Sequence, residues 1–95
     1  MDTTFEWDVQ KARGNLAKHG VGFDEAQTVF GDPLVITVPD DDHSHAEDRW
    51  IDLGYSASGR LLVTWYAQRG DRIRLIGCLP ATSTERRWYH DERIH

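Results

Sequence analysis

Cysteine is almost absent: Cys78 is the single one in 95 residues, so no disulfide can form within the chain. It lies between Ile76 and Leu79 in an apolar run, and is read as a buried thiol rather than a nucleophile. No apolar run approaches the roughly 18 residues that a membrane-spanning helix needs. The start, Met1-Asp2-Thr3-Thr4, has neither the basic residues nor the apolar middle of a secretory signal. These absences predict a cytoplasmic protein with no membrane partner. Ninety-five residues leave no material for a second core, so a single domain, 1–95, is expected. Lysine is missing after Lys18, and every basic side chain from residue 60 onward is arginine.

The net charge of −5 argues against an indiscriminate nucleic-acid binder, yet it hides an asymmetry. Residues 1–59 hold four Lys or Arg against twelve Asp or Glu; residues 60–95 hold seven Arg against four. Arginine grips a phosphate through two parallel N–H bonds, so the second half permits a local RNA site. Ordinary surface arginines on an acidic protein explain the same charges equally well.

The first helix is well marked. Asp8 is a suitable N-cap, Val9, Ala12 and Leu16 form a stripe to bury, and Gly20 suits the left-handed C-terminal turn. Lys18 and His19 fall in the last turn, where the helix dipole favours cations. Phe23, Ala26, Val29 and Phe30 predict a second short helix, ended by Gly31-Asp32-Pro33. Strands are expected over 34–38, 49–55, 60–68 and 72–78, with a possible short one at 5–7. Short turns between the later three favour an antiparallel meander. In Arg72-Ile73-Arg74-Leu75 the alternation puts both arginines on one face. Thr82-x-x-Glu85 is a capping box that opens a last helix. The expected fold is therefore α+β, an antiparallel sheet of about four strands packed by two N-terminal helices, with a C-terminal helix.

Trp7-Asp8-x-x-Lys11-x-x-x-Asn15-x-x-Lys18-His19-Gly20-Val21-x-Phe23-x-Glu25-Ala26 resembles the N-terminal signature of the BrnT family. The likeness continues through Val29-Phe30-Gly31-Asp32-Pro33, Asp42-His43-Ser44, Glu47-Asp48-Arg49, Gly54-Tyr55-Ser56, Gly59-Arg60-Leu61-Leu62 and Arg74-Leu75-Ile76. It ends with Ala81-Thr82-x-x-Glu85-Arg86-x-x-Tyr89. The resemblance implies a ribonuclease toxin of a bacterial type II toxin–antitoxin pair, with a fold related to the RelE type. It also implies a BrnA-like antitoxin as protein partner, RNA as substrate, and operator DNA reached only through the antitoxin complex.

Metal-free RNA cleavage needs a base for the 2′-hydroxyl, an acid for the leaving 5′-oxygen and a fixed cation for the phosphoryl charge. His19, Glu47, Arg49 and Arg74 are the candidate catalytic residues. Lys18, Arg72, Arg86 and Tyr89 are the candidate RNA contacts. Resemblance favours Arg74, which falls on the arginine typical of the family's last strand. Each has a structural alternative: a solvent-facing strand stripe for Arg72 and Arg74, a surface ion pair for Glu47 and Arg49, helix-end bonding for Lys18 and His19, and antitoxin contact for Arg86 and Tyr89. Glu85 is assigned a structural role in its capping box. The chain departs from the family pattern at Leu79, where an arginine is expected, and at Gly77, where serine is common. That departure opens a second reading, a weakened toxin-like module that acts through its antitoxin. The loop from Asp40 to Glu47 holds possible metal ligands, His43 and His45 included, but no second cluster completes a rigid set. No metal and no cofactor is expected.

Overall fold

The computed structural model describes residues 3–42 and 48–94. Its elements, in chain order, are β1 (Thr4–Glu6), α1 (Val9–His19), α2 (Phe23–Ala26), a 3-10 turn (Gln27–Gly31), β2 (Ile36–Pro39), β3 (Asp48–Tyr55), β4 (Leu61–Arg69), β5 (Arg72–Pro80) and α3 (Ser83–Ile94). The architecture is α+β, as expected, but the sheet has five strands in the order β1-β5-β4-β3-β2 and is mixed. β2 to β5 form the antiparallel meander, whereas β1 adds to the free edge of β5 in parallel. A three-residue strand carries little signal of its own; pairing with a strand near the other end of the chain defines it.

α1 starts and stops where its caps dictate. The Asp8 carboxylate accepts from the amides of Gln10 (2.8 Å) and Lys11 (3.1 Å), which holds its pKa below the ordinary value. Gly20 closes the helix at φ 70°, a backbone state that glycine adopts at little cost. The predicted stripe is not buried, however: Val9 and Leu16 are 58 % and 55 % exposed, and Ala12 alone packs partly on the core. α1 is held instead by Asn15. Its side-chain amide donates to the carbonyls of Val21 (2.9 Å) and Cys78 (2.8 Å), and its oxygen accepts from the Cys78 amide (3.0 Å). Asn15 thus pairs with β5 beyond the point where β1 ends.

The second helix is also shorter than expected. After one α turn the chain tightens into the 3-10 turn, because the Thr28 hydroxyl takes the Glu25 carbonyl (2.7 Å). Gly54 allows this turn to sit close on β3: a Cβ there would lie 3.1 Å from Val29, Asp32 and Val35 side-chain atoms.

Each sheet face has its own apolar layer. Val21, Phe23, Ala26, Val29, Leu62, Tyr66, Ile73, Leu75 and Cys78 fill the face under α1 and α2. Leu53, Leu61, Val63 and Tyr89 fill the face under α3. A register shift next to Trp65 and Tyr66 makes Ile76 the extra residue, since Tyr66 faces Leu75 while Trp65 faces Gly77. Past this bulge the parity of β5 flips, so Cys78 points into the first layer and Leu79, opposite Val63, lies on the α3 side. Cys78 is buried as predicted, and burial pushes its thiol up to about 11.

Candidate functional site

Residues directly opposed in a sheet share a face. In parallel pairing Glu6 meets Arg74; across the antiparallel ladders Arg74 meets Ala67, and Ala67 meets Arg49. Glu6, Arg74, Ala67 and Arg49 therefore form one row across four strands. Ala67 carries only a methyl, so nothing bulky separates the two arginines. Arg72 and Arg69 oppose each other one step further along the same face. The Gly70-Asp71 turn, with Gly70 at φ 62°, brings that pair together.

A single carboxylate serves three of these cations. Arg74 Nη1 donates to Glu6 Oε2 at 3.1 Å, while Arg69 and Arg72 form longer ion pairs of 3.7 Å with Glu6. Three guanidinium groups converge on this carboxylate, and the Arg72 side chain is 64 % exposed. Such a surface is suited to holding phosphates. Beside the row, Ile51 follows Arg49 by two residues and Trp65 precedes Ala67 by two. They open a cleft of about 190 Å³ between the sheet and α3, which Val63, Glu85 and Trp88 also line.

A second arginine setting lies at the other end of β4. Arg60 grips Glu25 through Nε (3.0 Å) and Nη2, and donates to the Gly20 carbonyl (2.9 Å). Ser56 and Ser58 hydroxyls donate to the same carboxylate at 2.8 and 2.6 Å. Arg60, then the two serines, hold Glu25 down at about 2. The bracket ties the end of α1, α2 and the β3–β4 turn together.

The sequence-predicted residues divide between these regions. Arg49, Arg72 and Arg74 share the arginine face. Lys18 and His19 do not: α1 packs on the opposite face, and the neighbouring Gly20 bonds to Arg60, roughly 30 Å along β4 from Arg69 at ordinary strand rise. His19 is exposed there, at the end of α1. Tyr89, a candidate RNA contact, is 4 % exposed, and its hydroxyl donates to Asp32 Oδ2 at 2.6 Å, so it anchors α3. Arg86 is exposed on α3. Glu85 forms the predicted capping box, accepting from the Thr82 amide (2.8 Å) while its own amide donates to Thr82 Oγ1 (3.1 Å). Glu47, His43 and His45 lie outside the described residues. Sequence reasoning missed Glu6 and Arg69. The alternation of Phe5, Glu6 and Trp7 already places Glu6 opposite two aromatics, but which strand it would meet is a long-range property.

The small α+β fold that carries this row has a solved counterpart. The crystal structure of the Brucella abortus ribonuclease toxin, BrnT, matches with a TM-score of 0.67 at 19 % identity, over 86 % of this chain and 100 % of that one. At that identity the match establishes the shared fold. No curated protein matches the chain. The family model described as ribonuclease toxin, BrnT, of type II toxin-antitoxin system covers residues 7–85, and the chain belongs to that family.

Proposed function

We propose that this chain is a metal-independent endoribonuclease, neutralised by a cognate antitoxin that binds it directly. The observation that carries the reading is the row of Arg49, Arg69, Arg72 and Arg74 on one sheet face around Glu6. In the proposed reaction a 2′-hydroxyl attacks the adjacent phosphorus, the bond to the 5′-oxygen breaks, and a cyclic phosphate and a 5′-hydroxyl result. Arg74 and Arg49 hold the phosphoryl oxygens as charge develops. Arg72 and Arg69 lead the flanking backbone onto the sheet, and Arg86 extends the contact from α3. Arginine is unsuited to proton transfer because its pKa stays above about 12. Carboxylates are the fitting groups: Glu6 within the cluster, and Glu47, one residue ahead of β3, on sequence position. The placement of His19 and Lys18 supports a structural role at the helix end.

The antitoxin in this reading is a BrnA-like, DNA-binding protein that covers the arginine face, so the toxin meets operator DNA only in the complex. The RelE-type relationship implied by the resemblance agrees with such a sheet-borne site. Purified, antitoxin-free protein should degrade RNA in EDTA. Arg74→Ala should lower the rate about 10²- to 10³-fold without unfolding, judging from the loss of single charge-stabilising donors elsewhere. Full activity in that variant rejects the site.

Leu79 favours a second reading, a weakened module that acts through its antitoxin. It sits opposite Val63 on the same side of the sheet as the arginines, so the cation expected at this position is replaced by an alkyl group. Growth arrest on expression of the chain alone separates the two readings, since the weakened module arrests nothing.

A further inference from the structure

We infer that the cleft between Trp65 and Trp88 is a nucleobase subsite that sets sequence preference, an inference that rests on the arginine face binding an RNA backbone. The cleft holds about 190 Å³, enough for one base, and its lining is almost wholly apolar: Ile51, Val63 and Trp65 from the sheet, with Trp88 from α3. Trp88 is 41 % exposed, an unusual state for the largest apolar side chain on a helix that otherwise packs inward through Tyr89. A flat, sequence-tolerant stacking surface accounts for that exposure.

Position decides in favour of a base. Ile51 and Trp65 each lie two residues along their strands from Arg49 and Ala67, about 7 Å at ordinary strand rise. That offset is about the length of one sugar, so a phosphate on the arginine row delivers its base to the cleft. A nucleotide has an anionic group for the arginine row and a flat apolar group for the cleft one step along the strands. Single-stranded RNA is read in this way, by stacking on aromatic rings and hydrogen bonds to the splayed base edge.

Glu85 supplies the polar edge. Its side chain lines the cleft, and one of its oxygens accepts from the Thr82 amide, which leaves the other able to accept from a base. A carboxylate accepts from ring N–H and exocyclic amino groups, so bases that present such donors side by side, guanine foremost, fit best.

The test uses the full chain and the four nucleoside 5′-monophosphates, with ribose 5-phosphate as the base-free probe. Titrations are followed by the indole N–H resonances. Guanosine monophosphate should shift the Trp65 and Trp88 signals and bind at least about tenfold more tightly than ribose 5-phosphate, a gain in line with one stacked base. Trp88→Ala should remove most of that gain. Glu85→Gln preserves the capping-box bond but exchanges an acceptor for a donor, so it should reorder the four nucleotides without lowering the unfolding temperature. Equal affinity for ribose 5-phosphate and the nucleotides overturns the subsite, as does an unchanged ranking in both variants. Nucleotides that leave both indoles unmoved, with an antitoxin that shifts them, assign the cleft to the protein partner instead and overturn the inference. Cleavage assays keep the two claims apart. Arg74-dependent RNA cleavage without base-dependent binding removes the subsite alone, whereas base-dependent binding without cleavage removes the nuclease reading alone.

Discussion

Arg60, just ahead of β4, and Arg74, in β5, are both arginines paired with a glutamate, and their settings differ. Glu25 meets Arg60 with two guanidinium nitrogens and two serine hydroxyls, and the same guanidinium caps the Gly20 carbonyl. Its charges are matched one to one. Glu6 meets Arg74 through one hydrogen bond and stands 3.7 Å from Arg69 and Arg72, so one carboxylate is shared among three guanidinium groups. A satisfied pair fixes chain segments; a shared carboxylate orders a positive surface and leaves it able to accept anions.

The contrast is sharpest in the Arg74→Ala variant, where the 10²- to 10³-fold drop in RNA cleavage should come with a nearly unchanged melting temperature. Arg60→Ala should do the reverse, melting earlier and cleaving at close to the parent rate when folded. Calorimetry and a cleavage assay on both proteins decide the matter; a common phenotype breaks the comparison.

Tyr89→Phe comes next in size. It keeps the packing of α3 but deletes the bond to the Asp32 carboxylate, and should cost about 1.5–3 kcal/mol in urea unfolding with cleavage intact. Loss of RNA binding at unchanged stability would return Tyr89 to the interface.

Glu25→Gln tests the bracket by pH. The folded Glu25 titrates at about 2, below its ordinary 4.5, so its stabilisation is complete above pH 4.5 and is lost as pH falls through about 2. Wild type should exceed the variant by about 1–2 kcal/mol at neutral pH, allowing for the exposure of Arg60, and the gap should close between pH 4.5 and 2. A gap independent of pH rules out the ion pair as its source.

The smallest effect belongs to Glu6→Gln. Removing the shared carboxylate should tighten binding of a non-cleavable RNA roughly fivefold and steepen its salt dependence. If cleavage falls while affinity rises, Glu6 takes part in the proton transfer; if both rise, it only restrains the arginines.

Much of this was legible in the residues because it is local. The Asp8 cap, the Gly20 stop, the Thr82–Glu85 capping box and the alternation of Arg72 to Leu75 all depend on neighbours a few positions away. What failed depends on distant partners. The Val9–Leu16 stripe has the right spacing to be buried, yet Asn15 rather than that stripe docks α1 on β5. Tyr89 is polar enough for a surface, yet Asp32 stands across from it. Residues on one face of a helix or strand could be grouped by period, but nothing in a period tells that Glu6 meets Arg74 or that His19 ends up on the other side of the sheet.

The link between β1 and β5 has a further consequence for how such a protein is made. Glu6 and Arg74 are 68 positions apart in sequence, and their strands lie side by side at one edge of the sheet. A growing polypeptide therefore has no complete cationic surface until its last strand has emerged from the ribosome and the first has found it. Truncated translation products carry the early half, which is acidic, and lack the later arginines altogether. If the arginine face is the cleaving surface proposed above, harm to cellular RNA is confined to finished chains.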